Sequence, residues 1–340
     1  MSNTTMSTST VITVDEEAQL IIFYNFLIAT VSKCLDGFIW IVGNIGAICT
    51  CIVFYRPAFR KSPCAMYFIV SSISQLFVFN FATFIRMIQY GYNVPVNAVP
   101  EWFCKVRYYI FYVAAANARY NMMFAAADRY FCSCRSALRR QWSSPKIAVR
   151  LMIIDAIIWL LFYIQVLVFS GLQNGKCRIP VVSIMTYFSF YITVENGFFP
   201  ILPLLFFGIL TIRNIHQTTR RTRTTEPVKG SQPVQNDRVS KKETQLHKML
   251  ANQVIIYLIL NVPYPVYTVY RTFLGVSSFT GSRALIDTLI NNTLYDLVYL
   301  GYALQFLIFI LTSDMFRREL RQIIQTKIIH RCRQLITPAS

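Results

Sequence analysis

Charge is what this chain lacks most. Of its 340 residues, 14% are Asp, Glu, Lys or Arg, where a soluble chain carries about a quarter. Acid is the scarcer sign, with 15 Asp and Glu against 33 Lys and Arg and a net charge of +18. Histidine is nearly missing. His216, His247 and His330 stand in basic, polar context, and no nucleophile or metal-ligating cluster gathers around them, which speaks against an enzyme and leaves no cofactor expected. There is no internal repeat, and this weakens the case for a transporter built from duplicated halves. The first 32 residues hold no Lys or Arg. The N-terminus therefore lacks the basic start of a secretory signal, and the first apolar span reads as an uncleaved anchor.

Apolar residues fill the space that charge leaves: 55% of the chain is hydrophobic, with 27 Phe and 20 Tyr. Runs long enough to cross a hydrocarbon core of about 30 Å as helix are read at 34–55, 64–88, 104–131, 147–170, 184–212, 248–272 and 285–311. The prediction is an all-α membrane protein, a seven-transmembrane helix bundle with its two ends on opposite sides. The bases sort by side. Of the 33 Lys and Arg, 23 lie between spans one and two, three and four, five and six, or after seven. By the positive-inside rule the N-terminus is outside and the C-terminus cytoplasmic. Retention at the inner leaflet of the lipid bilayer accounts for these bases, so nucleic acid is not an expected partner.

The expected organisation is an extracellular tail over 1–30, a bundle over 31–312 and a membrane-surface helix with cytoplasmic tail over 313–340. A flexible cytoplasmic loop over 213–247 falls in the polar stretch "HQTTRRTRTTEPVKGSQPVQNDRVSKKETQ". After span seven, Met315, Phe316, Leu320, Ile323, Ile324 and Ile328 alternate with bases at helical spacing, the pattern of an amphipathic helix on the inner leaflet. Asn3 in "NTT" is the favoured glycosylation sequon, ahead of Asn291 in "NNT", which sits close to the membrane. Of the nine cysteines only Cys104 and Cys177 fall in oxidising space, and they are paired on that ground. The other seven lie in or under the membrane, and Cys332, with Cys132 and Cys134, is a candidate for palmitate.

"DRY" at Asp128, Arg129 and Tyr130 stands at the cytoplasmic end of the third of seven spans, 25 residues after Cys104. In that setting the chain resembles the rhodopsin-like G-protein-coupled receptors. Gly43 and Asn44 are similar to that family's first-helix signature and Trp159 to its fourth-helix tryptophan. Pro200 or Pro203 marks helix five, Pro263 in "NVPYP" helix six, and "FRREL" at 316–320 the surface helix. The resemblance covers residues 30–332. It implies a plasma-membrane receptor that passes the binding of an extracellular ligand to a heterotrimeric G protein by outward movement of helix six. Arg129 would contact the G-protein α subunit in the active state, and Glu243, 20 residues before Pro263, would close the inactive-state bridge to it. The plainer reading of Glu243 is an offset to Lys241 and Lys242.

The departures are as informative. Gln75 stands where the second helix usually has aspartate, which puts the family's sodium pocket in doubt. Asn261 replaces the sixth-helix tryptophan, and "QFLIF" from Gln305 replaces the seventh-helix Asn-Pro-x-x-Tyr. This mixture resembles divergent invertebrate peptide or chemosensory receptors.

Charges inside the membrane are functional by default. Arg119 lies ten residues above Arg129 on nearly the same helix face. Glu195 in helix five and Asp296 in helix seven are the available acids, and Glu195 is favoured because helices three and five are neighbours in the resembled fold. The alternative function is a channel or transporter that uses Arg119, Glu195 and Asp296 as an ion path. The candidate ligand pocket comprises Tyr108, Phe111, Tyr112, Gln165, Glu195, Tyr264, Tyr267, Asp296 and Tyr299, although tyrosines near interfaces also form aromatic belts. Amine receptors of the family carry an aspartate 18 residues before the DRY arginine. Here that position is Phe111, so a peptide is favoured over an amine. Arg107 and Arg271 near the mouth suit acidic groups of such a ligand.

Overall fold

The computed structural model describes residues 14–94, 100–134, 136–173, 176–178, 187, 190–191, 193–224, 233–274 and 279–336. Within them the chain is almost wholly helical. Five helices are long and apolar enough to cross a membrane, and a sixth span is formed by Gly281–Ala303 and Gln305–Thr312 together, bent by 41° at the break between them. The remaining helix, Glu101–Ser133, has 33 residues, about 50 Å at 1.5 Å per residue. Its modest overall hydropathy has a structural cause. Arg107, Arg119, Asp128 and Arg129 all sit on it, and all are buried inside the bundle rather than turned to lipid. It completes the seven-helix bundle as the third span and packs against the second, fourth, fifth and sixth.

The first span corrects the sequence reading of 34–55. Helix begins at Val14 and runs to Val31, continues through a π-turn over Ser32–Asp36 and ends in Gly37–Phe54. Ser32, Lys33 and Asp36 lower the local hydropathy without breaking the backbone ladder, so they hid an apolar run that starts near Leu20. Asp15, Glu16 and Glu17 occupy the first turn, where the helix dipole favours negative charge.

Large apolar side chains line the outside. Ile41, Ile45, Ile48 and Ile52 on the first span and Ile154, Ile157, Ile158 and Leu161 on the fourth are each 40–64% exposed. In water such continuous apolar faces would drive association; in lipid they are the solvent-compatible surface. Inside, small residues bring helices close. An added Cβ on Gly43 would lie 2.5 Å from the Phe79 ring of the second span. Ala114, Ala115, Ala116, Ala118, Ala125 and Ala126 form the buried small face of the third span, the association mode expected where no hydrophobic force separates helix from lipid.

Irregular backbone marks the polar sites. Further π-turns occur at Phe79–Thr83, Met87–Gly91 and Val194–Phe198. The last contains Asn196 and Gly197, and the fifth span continues from it as Phe199–Thr224. The sixth span divides at Val262 into Pro233–Asn261 and Pro263–Leu274, because Pro263 has no amide hydrogen for the ladder. One feature the sequence did not announce is a short antiparallel hairpin, Gly171–Gln173 with Lys176–Arg178. It rests against the outer end of the third span. After span seven, Asp314–Ile336 is helical, and fully buried Phe316 packs it against Phe54 and Phe309.

Candidate functional site

The third span carries two arginines at different depths. Arg119 is 5% exposed, and its Nη2 donates to both carboxylate oxygens of Glu195 at 2.8 Å. Tyr163 of the fourth span donates its hydroxyl to the same Glu195 Oε2 at 2.9 Å. The favoured partner from sequence is thus the observed one. Two turns of geometry make this possible: the fifth-span π-turn carries Glu195 inward, and the third-span alanines let the fifth helix approach.

Asp296 does not join this pair. It accepts from Arg86 of the second span at 3.4 Å, a different partner from the Arg119 and Glu195 pair. Asp155 of the fourth span is also drawn inward. It accepts from Trp159 Nε1 at 2.8 Å and from Asn121 Nδ2 at 3.1 Å, so the tryptophan is oriented by a carboxylate as well as by the Tyr120 ring, 4.6 Å away.

Above Arg119 lies a narrow cavity of about 30 Å³. Phe111, Tyr112, Tyr264, Tyr295 and Tyr299 give it aromatic walls, with Arg119, Asn196 and Asn261 among its polar lining. Of the sequence candidates, Phe111, Tyr112, Tyr264 and Tyr299 therefore converge. Tyr108, Gln165, Glu195, Tyr267 and Asp296 do not line the wall. Tyr108 carries the Arg107 guanidinium over its ring at 4.5 Å, and Gln165 is half-buried at the outer end of the fourth span. Tyr267 donates to Asp287 at 2.9 Å. Arg271 also binds Asp287, at 2.6 Å, and donates to Asn291 Oδ1 at 3.1 Å. Its charge is already answered, and Asn291 is held within a helix.

Deeper in the bundle the departures from the resembled family become contacts. Gln75 Nε2 donates to Gln305 Oε1 at 2.7 Å, a neutral bond across the second and seventh spans at the place where the seventh bends. Asn44 donates to Trp40 O at 2.8 Å and accepts from Asn80 at 2.8 Å, while Trp40 Nε1 donates to Asn80 at 3.0 Å. Asn261 turns back to donate to Tyr257 O at 2.9 Å. That bond occupies a carbonyl one turn before the Pro263 break.

At the C-terminal end of the third span Arg129 is 1% exposed and donates to Asp128 Oδ2 from Nη2 at 2.6 Å and from Nε at 3.1 Å. Ser143 of the following loop donates to Asp128 Oδ1 at 2.7 Å, so the acid is gripped from both sides. The Tyr130 ring packs against Phe207 of the fifth span. Glu243 belongs to the helix Pro233–Asn261, but its side chain lies outside the described residues. Sequence reasoning missed its neighbour Gln245. The Gln245 Oε1 accepts from Ser313 Oγ and from Met315 N, both at 2.9 Å, which ties the sixth span to the start of the surface helix. Asn214 similarly ties the fifth span to the third through Ser133 Oγ at 3.0 Å.

At the outer end Cys104 is fully buried, with its Sγ 3.8 Å from Gly171 O. Cys177 lies on the second strand opposite Leu172; its side chain is outside the described residues, as are Asn3 and the side chain of Cys332.

No curated protein matches the chain significantly. A family model described as "7 transmembrane receptor (rhodopsin family)" matches residues 43–303, a segment that begins at the Gly43 contact, includes the DRY end of the third span and stops at the bend of the seventh. With the seven-helix bundle and a match over well more than half its length, the chain belongs to the rhodopsin family of seven-transmembrane receptors.

Proposed function

We propose that this receptor binds an extracellular peptide, such as a neuropeptide, in the aromatic cavity and activates a heterotrimeric G protein through outward movement of the sixth span. The observation that carries the reading is the pair of buried arginines on one helix. Arg119 lines the cavity, and Arg129 closes the cytoplasmic end against Asp128. A ligand shifts the equilibrium only by binding one state better than the other. An aromatic side chain of the peptide that packs against Tyr264 and Tyr295 acts on the segment beyond the Pro263 break, and so on the position of the lower sixth span.

The lower sixth span is free to respond. An apolar crevice of about 320 Å³ separates it from the fifth, lined by Leu204, Gly208, Leu250 and Val254 among others. Outward movement would break the Gln245 contacts to Ser313 and Met315 and, with them, the bridge from Glu243 to Arg129 that the family resemblance implies. The cavity has no carboxylate on its lining, in keeping with a non-amine ligand. The basic loops support a plasma-membrane orientation with the N-terminus outside. The same orientation puts Asn3 in position for glycosylation and Cys332 for palmitate. Buried Cys104 lies with its Sγ 3.8 Å from Gly171 O, against the hairpin that carries Cys177; this supports their pairing. Of the expected domain limits, the tail over 1–30 gives way to the helix that begins at Val14; the proposed bundle runs to 312 with its loop over 213–247, followed by a surface helix and tail over 313–340.

The test is a peptide-first ligand screen on the full chain in lipid, read as nucleotide exchange on a panel of G proteins. Ligand-dependent exchange is expected, lost in Arg129→Ala and raised in its basal level in Glu243→Ala. Absence of exchange with every G protein, together with an indifferent Arg129→Ala, defeats the reading.

A further inference from the structure

Three charged side chains meet between the first, second and seventh spans, apart from the pair of Arg119 and Glu195. Asp36, in the π-turn of the first span, and Asp296, in the seventh, are both 0% exposed. Arg86 of the second span donates to Asp296 Oδ1 and to Asn292 O, each at 3.4 Å. Asp36 stands within side-chain hydrogen-bonding reach of Asp296. Yet no N–H or O–H of the described residues donates to Asp36 Oδ1, Asp36 Oδ2 or Asp296 Oδ2.

These facts do not balance if both acids are ionised. Two carboxylates against one guanidinium leave a net negative charge at a site closed to water, where an uncompensated charge costs several kcal/mol. Two carboxylates in mutual hydrogen-bond reach also repel, and such pairs share a proton. One proton answers all of it: it neutralises the surplus charge and supplies the donor that the facing oxygens lack.

We propose that Asp36 and Asp296 bind a single proton between them, and that this proton joins the first span to the seventh beside Arg86. The surroundings contain no competing base. Arg86 lies 5.5 Å from the Tyr90 ring of its own span and 5.2 Å from the Tyr295 ring of the seventh. Tyr299 of the seventh span and Tyr108 of the third complete the groups within electrostatic reach of Arg86. Lys33, on the same turn as Asp36, is directed to the Tyr92 ring at 5.2 Å. A metal cation suits the site less well than a proton, since Arg86 already supplies a fixed positive charge beside Asp296. Among the described residues no three acidic, His or Cys groups gather as a metal site.

The site is also coupled to the ligand cavity. Tyr295, against which Arg86 packs, lines that cavity. Loss of the proton leaves Asp36 charged, draws Arg86 toward it and away from Tyr295, and loosens the cavity wall. The folded chain then holds one proton that the unfolded chain does not, so stability falls as pH rises through the titration of the pair and returns on acidification.

The experiment uses the full chain in lipid nanodiscs, with the thermal midpoint and the infrared carboxyl band recorded from mildly acid to mildly alkaline buffer. In the wild type a protonated-carboxyl band is expected at neutral pH, and the midpoint falls by several degrees toward alkaline pH. In Asp36→Asn the side-chain amide donates to Asp296 in place of the proton. That variant should lose the band and the pH slope while keeping the midpoint. If it does not fold, the disappearance of the wild-type band on alkalinisation, in step with the fall in midpoint, carries the test. A wild-type band absent at neutral pH, equal slopes in the two proteins, or a midpoint raised by sodium chloride but not by acid overturns the proposal.

Discussion

Arg119 of the third span and Glu195 of the fifth, 76 residues apart, are joined by two 2.8 Å hydrogen bonds from a single guanidinium nitrogen, with both side chains at most 6% exposed. In lipid neither charge has water to fall back on. The pair therefore fixes the relation of two helices at the level of the cavity, and it makes each partner costly to lose alone.

Removal of one member should be worse than removal of both. Glu195→Leu leaves a buried, unpaired guanidinium, a change that costs about 3–5 kcal/mol in comparable buried pairs. Arg119→Met combined with Glu195→Leu removes both charges, leaves only the Tyr163 hydroxyl without its acceptor, and should recover most of that loss. Thermal unfolding of the single and double variants in one detergent checks this; a double variant no more stable than Glu195→Leu contradicts it.

Close helix approach gives a second expectation. A methyl group on Gly43 meets three ring atoms of Phe79 at 2.5–2.7 Å, a clash that costs about 1–3 kcal/mol when the surroundings must shift. Gly208 has no atom within 4 Å of the equivalent position. Gly43→Ala should lower the thermal midpoint while Gly208→Ala leaves it within error, and Phe79→Leu should relieve the first substitution. Equal effects at both glycines would show that helix propensity, not packing, dominates.

The bond network of Gln245 gives a third. Its single oxygen holds both Ser313 and the backbone of Met315, so Gln245→Leu frees the sixth span from the surface helix and leaves one buried hydroxyl unsatisfied. Basal nucleotide exchange should rise several-fold, by the one to two kcal/mol that such bonds contribute. Gln245→Glu, which keeps the acceptor, should stay near the wild-type level. An unchanged basal rate in Gln245→Leu sinks the idea of a latch.

Much of the architecture was legible because bilayer chemistry is written residue by residue. The apolar runs, the basic loops and the DRY end of the third span needed no knowledge of neighbours, and the match over 43–303 agrees with them. Glu195 was legible as the partner of Arg119 because only a few acids exist to answer a buried base. Arg86 was not, since it stands two residues from the end of the span read at 64–88, where a base can equally well reach the membrane surface; the π-turns flanking it carry helix on far enough to bury it. The hairpin escaped notice for a related reason. Strands of three residues are too short to show alternation, and they hold their shape by pairing with each other.

The sequence by itself determined that this chain is a membrane bundle with basic loops and an adjacent acid and base, Asp128 and Arg129, at the end of its third span, because composition and helical period are properties of each segment alone. The tertiary structure decided who meets whom: Asp296 with Arg86 rather than Arg119, Gln75 with Gln305, Gln245 with Ser313. Those choices depend on helix rotation and bend, set by packing between segments up to 230 residues apart, and no single segment encodes them.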